Sequence, residues 1–394
     1  MGRLAILAPR HAVATAVLAL LIVLASGCAP RPEVRGHAAD AYPQRLSEWG
    51  LLTRNGRALV LGRDVQVYEV NAPLFSDYSL KLRTLYLPPG ARMSYQNEAS
   101  FEFPVGSIIT KTFFYPVADG VPVADGVVQA QADWHGDVDK LDLNAHRLLE
   151  TRLLVKQQHG WDALPYVWNG DDAVLRIVGA MQPLRIALGG EVTEFPYLVP
   201  ARSECASCHV TDHAEGSLQL IGMNARQLNR EYPGAAGNQL SNWAEAGRLA
   251  QLPALEQVPY MPPWHTPEES APLPAGASSR SRSAQSRARS YLDSNCGHCH
   301  SASGPANTSG LLLDAGTSAW RQLGVCKRPI AAGRGTGGHN YSIMPGEPDA
   351  SILVYRMEAT DPAVRMPELG RVLRHAEGVA LVRAWIASLP GTCS

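Results

Sequence analysis

Short apolar stretches with polar residues between them recur along the first half of the chain, a pattern typical of β-strands. The stretches that carry this pattern are rich in β-branched and aromatic residues, and turn-forming Gly, Pro, Asn and Asp separate them. They are Val65 to Val70, Leu80 to Leu87, Ile108 to Tyr115, Arg152 to Lys156 and Ala173 to Val178. We therefore predict a β-rich, sandwich-like domain over residues 46–195.

Beyond residue 195 the apolar residues recur every three to four positions, which is the spacing of helices. Residues 225–232 and 239–252 predict short helices in a segment spanning 196–264. Residues 377–389 gather their apolar side chains on one face and predict a closing helix. Between the two regions, residues 265–282 are rich in Pro, Ser, Ala and Gly and predict a linker that leads into a last segment, 283–394.

The N-terminus has the features of a targeting segment. Arg3 and Arg10 precede an apolar run that ends in small residues directly before Cys28. This resembles a bacterial lipoprotein signal, which implies that residues 1–27 are a signal peptide and that Cys28 becomes the lipidated first residue. Ordinary cleavage with a free Cys28 and a retained membrane anchor are the alternatives. Residues 28–45 are then a tether.

Charge adds little to this picture. The chain of 394 residues carries 35 basic and 36 acidic side chains, for a formal net charge of -1. Its bulk charge therefore gives no indication of a nucleic-acid partner. The hydrophobic content of 45% is ordinary for a globular protein.

Two short motifs carry the clearest chemistry. They are Cys205-Ala206-Ser207-Cys208-His209 and Cys296-Gly297-His298-Cys299-His300. Each has the form C-x-x-C-H, in which two thiols add to the vinyl groups of a haem and the adjacent histidine ligates its iron. We therefore predict two covalently bound haem c groups, with His209 and His300 as iron ligands.

A zinc site, a redox dithiol and coincidence are the alternatives. Coincidence fails because a chain with only 7 Cys and 12 His would rarely produce even one such motif by chance. A zinc site built from two C-x-x-C pairs usually brings the pairs within about 20 residues of each other. These pairs lie much further apart, and a histidine follows each of them.

Two cysteines, Cys326 and Cys393, remain after the motifs and Cys28 are assigned. In an oxidising compartment they are candidates for a disulfide that ties the C-terminus to the second haem region. Two free thiols are the alternative, because sequence does not show whether the pair comes close enough to bridge.

The sequence offers more than one candidate for the sixth ligand of each iron. For the second haem we favour Met366, which precedes a proline in an irregular stretch, over Met344 and His339. For the first haem the candidates are Met261, Met223 and His213.

The order of features after residue 283 is similar to that of a small monohaem cytochrome c: a helix, the attachment motif, a methionine loop and a closing helix. From about Leu46 onward the chain resembles a family of exported, largely uncharacterised dihaem c-type cytochromes. Besides the two motifs, the stretches that carry the resemblance are Asn71 to Tyr78, Phe103 to Tyr115, Ser309 to Leu311, Pro345-Gly346 and Arg365 to Gly370. The implied fold is α+β and multidomain, with a β-sandwich-like domain followed by two mainly α-helical cytochrome c-like haem domains.

The expected function is electron transfer at the bacterial cell envelope, with a redox protein or a periplasmic dehydrogenase as partner. This hypothesis favours an electron-transfer protein over a catalyst. One alternative is a peroxidase-like dihaem enzyme in which one haem keeps an open site. The other is a binding module, in which the β-domain recognises a partner and the haems provide the output.

Overall fold

The computed structural model describes residues 31–118, 126–131, 134, 137–138, 141–232, 236–265, 283–331 and 333–394. The predicted signal peptide, Cys28 and nearly all of the predicted linker lie outside these residues. Within them, no helix has both the length and the apolar content needed to cross a bilayer.

Strands dominate the first half of the described chain. They are β1 (Leu52–Asn55), β2 (Ala58–Leu61), β3 (Gln66–Tyr68), β4 (Leu80–Tyr86), β5 (Met93–Ser94), β6 (Ile108–Pro116), β7 (Val128–Gln129), β8 (His146–Gln157), β9 (Gly160–Asn169), β10 (Asp172–Leu175), β11 (Ala180–Leu188), β12 (Glu191–Val199) and β13 (Leu249–Ala250).

The central element is a 6-stranded antiparallel sheet with the strand order β10-β9-β8-β6-β4-β3. A 3-stranded sheet, β12-β11-β7, and two 2-stranded sheets, β1-β2 and β13-β5, accompany it. Strands predicted from β-branched and aromatic residues, such as Leu80 to Leu87 and Ile108 to Tyr115, occur at those positions.

One face of the 6-stranded sheet packs on a core centred on Trp49. This side chain is fully buried, and its Nε1 donates a hydrogen bond to Tyr166 Oη at 2.8 Å. The next residue, Gly50, has a φ of +68°, and a Cβ there would lie 2.1 Å from the Glu33 carbonyl oxygen. The chain before Leu46 therefore packs closely on this core, so the ordered body begins earlier than the sequence indicated.

The opposite face of the same sheet is apolar at both ends. At one end Leu85 and Ile109 join a core with residues from 218–258. At the other end Phe113 and Tyr115 join a core with β11 and β12. Charged side chains lie between the two apolar ends, and they face the cavity described below.

The helices are short. They are α1 (Ala206–His209), α2 (Ala225–Leu228), α3 (Gln239–Glu245), α4 (Ala284–Leu292), α5 (Ile352–Glu358) and α6 (Ala376–Ala387). Helices α4 and α6 pack together around Trp385, which is fully buried.

The predicted fold class, a β-sandwich-like domain followed by two mainly α-helical cytochrome c-like domains, is wrong. The described chain is rich in sheet, and its helices are short segments among loops and 3-10 turns. The predicted helix over 239–252 shows the physical reason. It ends at Glu245, Gly247 adopts a φ of +69°, and Leu249 then enters β13. Its apolar residues are therefore divided between a helix and a strand.

Residues 71–78, which we name the connecting segment, join the sheet to both motif regions. The side chain of Asn71 donates to the Asn229 carbonyl at 3.0 Å. The Phe75 backbone N–H donates to Asn295 Oδ1 at 2.9 Å, directly before the second motif. Asp77 Oδ1 accepts a 2.7 Å bond from the backbone of Leu373. The three contacts hold distant parts of the chain around one cavity.

Candidate functional site

The first motif follows the last long strand of the fold. Strand β12 ends at Val199, and a 3-10 turn, Arg202–Cys205, leads into α1. Arg202 anchors this turn to the large sheet through a 2.9 Å bond to Asp162 Oδ1 in β9. The turn thereby positions Cys205 and Cys208 on the wall of the cavity.

His209 is held by a reciprocal pair of hydrogen bonds to one residue. Its Nδ1 lies 2.8 Å from the Gln219 carbonyl oxygen, and the Gln219 N–H donates to the His209 carbonyl at 2.6 Å. A ring nitrogen that bonds a carbonyl must carry the proton, so Nε2 keeps its lone pair. Burial lowers the pKa of His209 to about 4. The ring is therefore neutral and oriented as an iron ligand must be.

The second motif repeats this arrangement. Helix α4 continues into a π-helical turn, Asp293–Gly297, and the His300 N–H donates to the Cys296 carbonyl at 2.8 Å. His300 Nδ1 lies 3.2 Å from the Leu311 carbonyl oxygen, and burial lowers its pKa. His300 consequently also has its Nε2 free to ligate.

The two motifs touch each other, although about ninety residues separate them in sequence. Cys299 Sγ lies 3.5 Å from the Ser207 carbonyl oxygen. The stretches that follow the motifs also pair, because the His213 N–H donates to the Ser303 carbonyl at 2.8 Å. Two groups attached at these motifs would therefore lie side by side.

A cavity of about 310 Å³ opens between the sheet and the motifs. Cys205, Cys208 and His209 line it, and His298 reaches it from the second motif. Apolar side chains cover much of the remaining wall, among them Val70, Leu154, Leu220, Ile221 and Leu369. An apolar cavity of this size, with a few polar groups, is typical of a cofactor site.

Among the candidate sixth ligands for the first haem, only Met223 lines this cavity, and it is 1% exposed. Met261 is buried outside the lining, with its Sδ 4.0 Å from Ser294 Oγ. His213 lies in the contact between the two motifs. The structure therefore brings Met223 to the cavity that the first motif lines, but neither Met261 nor His213.

Met366 lies in a loop whose backbone is held by hydrogen bonds, so we call it the pinned loop. Its N–H donates to the Arg356 carbonyl at 2.9 Å, and its carbonyl accepts 2.7 Å from Arg371 Nη2. Glu368 in the same loop acts on the pKa of His300, and Pro367 and Leu369 line the cavity together with the first motif, so the loop lies within reach of both motifs.

The alternative sixth ligands of the second haem, Met344 and His339, contact other residues. The Met344 N–H donates to Ser351 Oγ at 2.9 Å. The His339 ring packs edge-on against Tyr355 with a centroid separation of 5.8 Å.

Sequence reasoning missed His298. Its Nδ1 is buried without a hydrogen-bond partner among the described residues, and burial lowers its pKa to about 4. The available signal was a second histidine within the second motif.

Cys326 and Cys393 form a disulfide, with their Cα atoms 5.2 Å apart. The four cysteines of the motifs are free thiols. Among the described residues, no group of three or more His, Cys, Asp or Glu side chains is arranged to hold a bare metal ion.

The first motif fits a covalently bound haem. It offers two free thiols and a neutral histidine with a free Nε2, all lining one largely apolar cavity. The second motif has the same donor set, with two free thiols and an oriented histidine. Comparison of the chain with protein-family models, curated proteins and solved structures gave no match.

Proposed function

We propose that this chain is a dihaem c-type cytochrome that transfers electrons at the bacterial cell envelope. The observation that carries the proposal is the contact between two C-x-x-C-H motifs whose histidines are both oriented through Nδ1. Bound haem would supply an iron that takes up and releases one electron.

The chain's own residues have three tasks in this proposal. The four motif thiols bind the haems, which fixes both groups to the backbone. The carbonyls of Gln219 and Leu311 orient His209 and His300. The contact between Ser207 and Cys299 keeps the two attachment points together, so an electron can pass within the molecule.

Met366 is the proposed sixth ligand of the second haem, since its pinned loop lies near His300. The proposed location rests on the N-terminal sequence, in which a signal peptide precedes lipidation at Cys28. A lipid anchor there would hold the protein at a membrane surface, where a redox protein or a periplasmic dehydrogenase would be its partner.

A second candidate is a redox enzyme with one open haem. His298 favours it, because this ring lines the same cavity as His209 and has no hydrogen bond to a described residue. A histidine in that position can move a proton to or from a small substrate bound at the first iron.

Mass spectrometry of the exported protein and of two double variants tests the proposal. We expect two covalent haems in the native chain and one each in Cys205→Ser/Cys208→Ser and Cys296→Ser/Cys299→Ser. The matched control, Cys326→Ser/Cys393→Ser, also removes two cysteines and should keep both haems. A native chain without covalent haem would refute the proposal.

Carbon monoxide binding to the reduced protein separates the two candidates. An electron carrier with two six-coordinate irons binds no carbon monoxide. Binding at one haem of the native protein would favour the enzyme.

A further inference from the structure

A row of three cations crosses the sheet face that forms one wall of the cavity. Arg83 in β4 is directly opposite Lys111 in β6, and Lys111 is directly opposite Arg152 in β8. Residues that face each other across antiparallel strands project from the same side, with Cβ atoms about 5 Å apart. Like charges in such positions repel, so the row needs a compensating negative charge.

Among the three cations, only Arg152 has a carboxylate partner among the described residues. Arg152 bonds Glu150 through Nη2 at 2.5 Å and through Nε at 2.7 Å. Neither the Arg83 guanidinium nor the Lys111 ammonium has a hydrogen bond or an ion pair with a described residue. The carboxylate of Glu69, which acts electrostatically on Arg83, is bound by Arg230 at 2.7 Å.

Lys111 has an aromatic neighbour but no anionic partner. Its Nζ lies 5.4 Å from the centroid of the Phe113 ring. Burial first, and then the nearby cations Arg83 and Arg152, lower its pKa to about 7. The side chains of Arg83 and Lys111 therefore face a largely apolar cavity, and Glu150, which acts electrostatically on Lys111, is itself bound by Arg152.

The cations line the cavity in which a haem attached to the first motif would lie. Arg83, Lys111 and Arg152 line the same cavity as Cys205, Cys208 and His209. A haem carries two propionate carboxylates, on the part of its ring away from the vinyl groups that the thiols capture. A haem attached at Cys205 and Cys208 would bring both carboxylates into this cavity.

We propose that Arg83 and Lys111, the two members of the row without an ion-pair partner, bind the propionates of the haem attached to the first motif. This inference rests on the proposed function. It assigns a task to two charged residues that the attachment chemistry does not use. The two propionates match the two unpaired cations in charge, and hydrogen bonds between charged partners are among the stronger ones in proteins.

The test uses Arg83→Gln and Lys111→Gln in the full dihaem protein. We expect one of the two midpoint potentials to fall and the other to hold, because loss of a nearby cation stabilises the ferric state. The propionate bands in resonance Raman spectra should shift in both variants, and Lys111→Arg should restore them. If neither the bands nor the potentials change, the inference is wrong.

Lys81→Gln is the matched control. Lys81 lies on the same strand and face as Arg83, and its Nζ is 5.8 Å from the same Phe113 ring. It does not line the cavity, so this variant should keep native bands and potentials. A shift equal to that of Lys111→Gln would indicate a general charge effect and overturn the inference.

A phosphate titration distinguishes a free anion from the haem carboxylates. If propionates occupy the row, added phosphate should cause no saturable spectral change in the native protein. Saturable binding that Arg83→Gln abolishes would show that the row takes a free anion, while both haems remain in place. Absence of covalent haem would instead refute the proposed function.

Discussion

His209 and His300 each use one ring nitrogen to bond a backbone carbonyl and keep the other free. The sequence predicted both residues because their spacing from two cysteines is fixed by the attachment chemistry. It did not predict which carbonyls would orient them. Those partners, Gln219 and Leu311, lie in irregular stretches without a periodic pattern.

The proposed role of Met366 leads to a prediction for a single side chain. Met366→Ala removes the thioether from a loop that lies near His300. We expect the reduced variant to bind about one carbon monoxide per chain, because a vacated sixth position accepts an exogenous ligand. Optical titration measures this change.

Met344→Ala is the control for this experiment, since Met344 also precedes a proline. It should bind no more carbon monoxide than the native protein. If Met344→Ala opens a site and Met366→Ala does not, the ligand assignment is wrong.

Among the elements, β8 carries a buried ion pair that supports the sheet beside the cavity. The Glu150 side chain is fully buried, and it accepts hydrogen bonds from Arg152 and from Tyr197 Oη. Glu150→Gln removes the negative charge and leaves Arg152 without its partner. We expect the free energy of unfolding to fall by about 3 kcal/mol, as for other buried pairs that lose one member.

Denaturant unfolding of the haem-loaded protein measures this effect. Glu194→Gln is the control, because Glu194 pairs with Arg185 at 3.7 Å on the exposed surface. That variant should change stability by less than about 1 kcal/mol. Equal effects in the two variants would contradict the assignment.

Strands were more predictable than helices in this chain. Seven of the eight residues from Ile108 to Tyr115 are β-branched or aromatic, a composition that favours a strand. The apolar spacing over 239–252 suited a helix equally well, but Gly247 and the partner strand β5 ended it early. Pairing with a distant strand is not visible in a local pattern.

For the whole molecule, the disulfide between Cys326 and Cys393 closes a loop across 67 residues of sequence. In the chain-entropy description a loop of that length stabilises the folded state by about 4 kcal/mol. We expect Cys326→Ser/Cys393→Ser to lower the free energy of unfolding by about 2–4 kcal/mol. Guanidinium unfolding of the oxidised native protein and the variant measures the difference.

Treatment of the native protein with a reductant provides the control. It should reproduce the stability of the double variant, because reduction opens the Cys326–Cys393 disulfide and does not cleave the thioether bonds of the proposed haems. A variant as stable as the oxidised native protein would contradict this expectation.

The contact between the two motifs could not be predicted from the sequence. Each motif was recognisable by itself, and so was the distinctive string from Asn71 to Tyr78. Their meeting depends on hydrogen bonds between residues that are far apart in the chain, such as Phe75 and Asn295, 220 positions apart. His298 and the cation row likewise come together only in the folded cavity, so the sequence assigned them no role.

The connecting segment also has a consequence for the order of events during folding. Asp77 bonds the backbone of Val372 and Leu373, which lie 295 and 296 positions later in the chain. Contacts of such high sequence separation form slowly, because a large loop must close before they stabilise anything. The cavity therefore cannot be completed until almost the whole polypeptide has been synthesised. During that interval the four motif thiols would stay accessible to the haem attachment that we propose, and the late arrival of the C-terminal residues would end the interval.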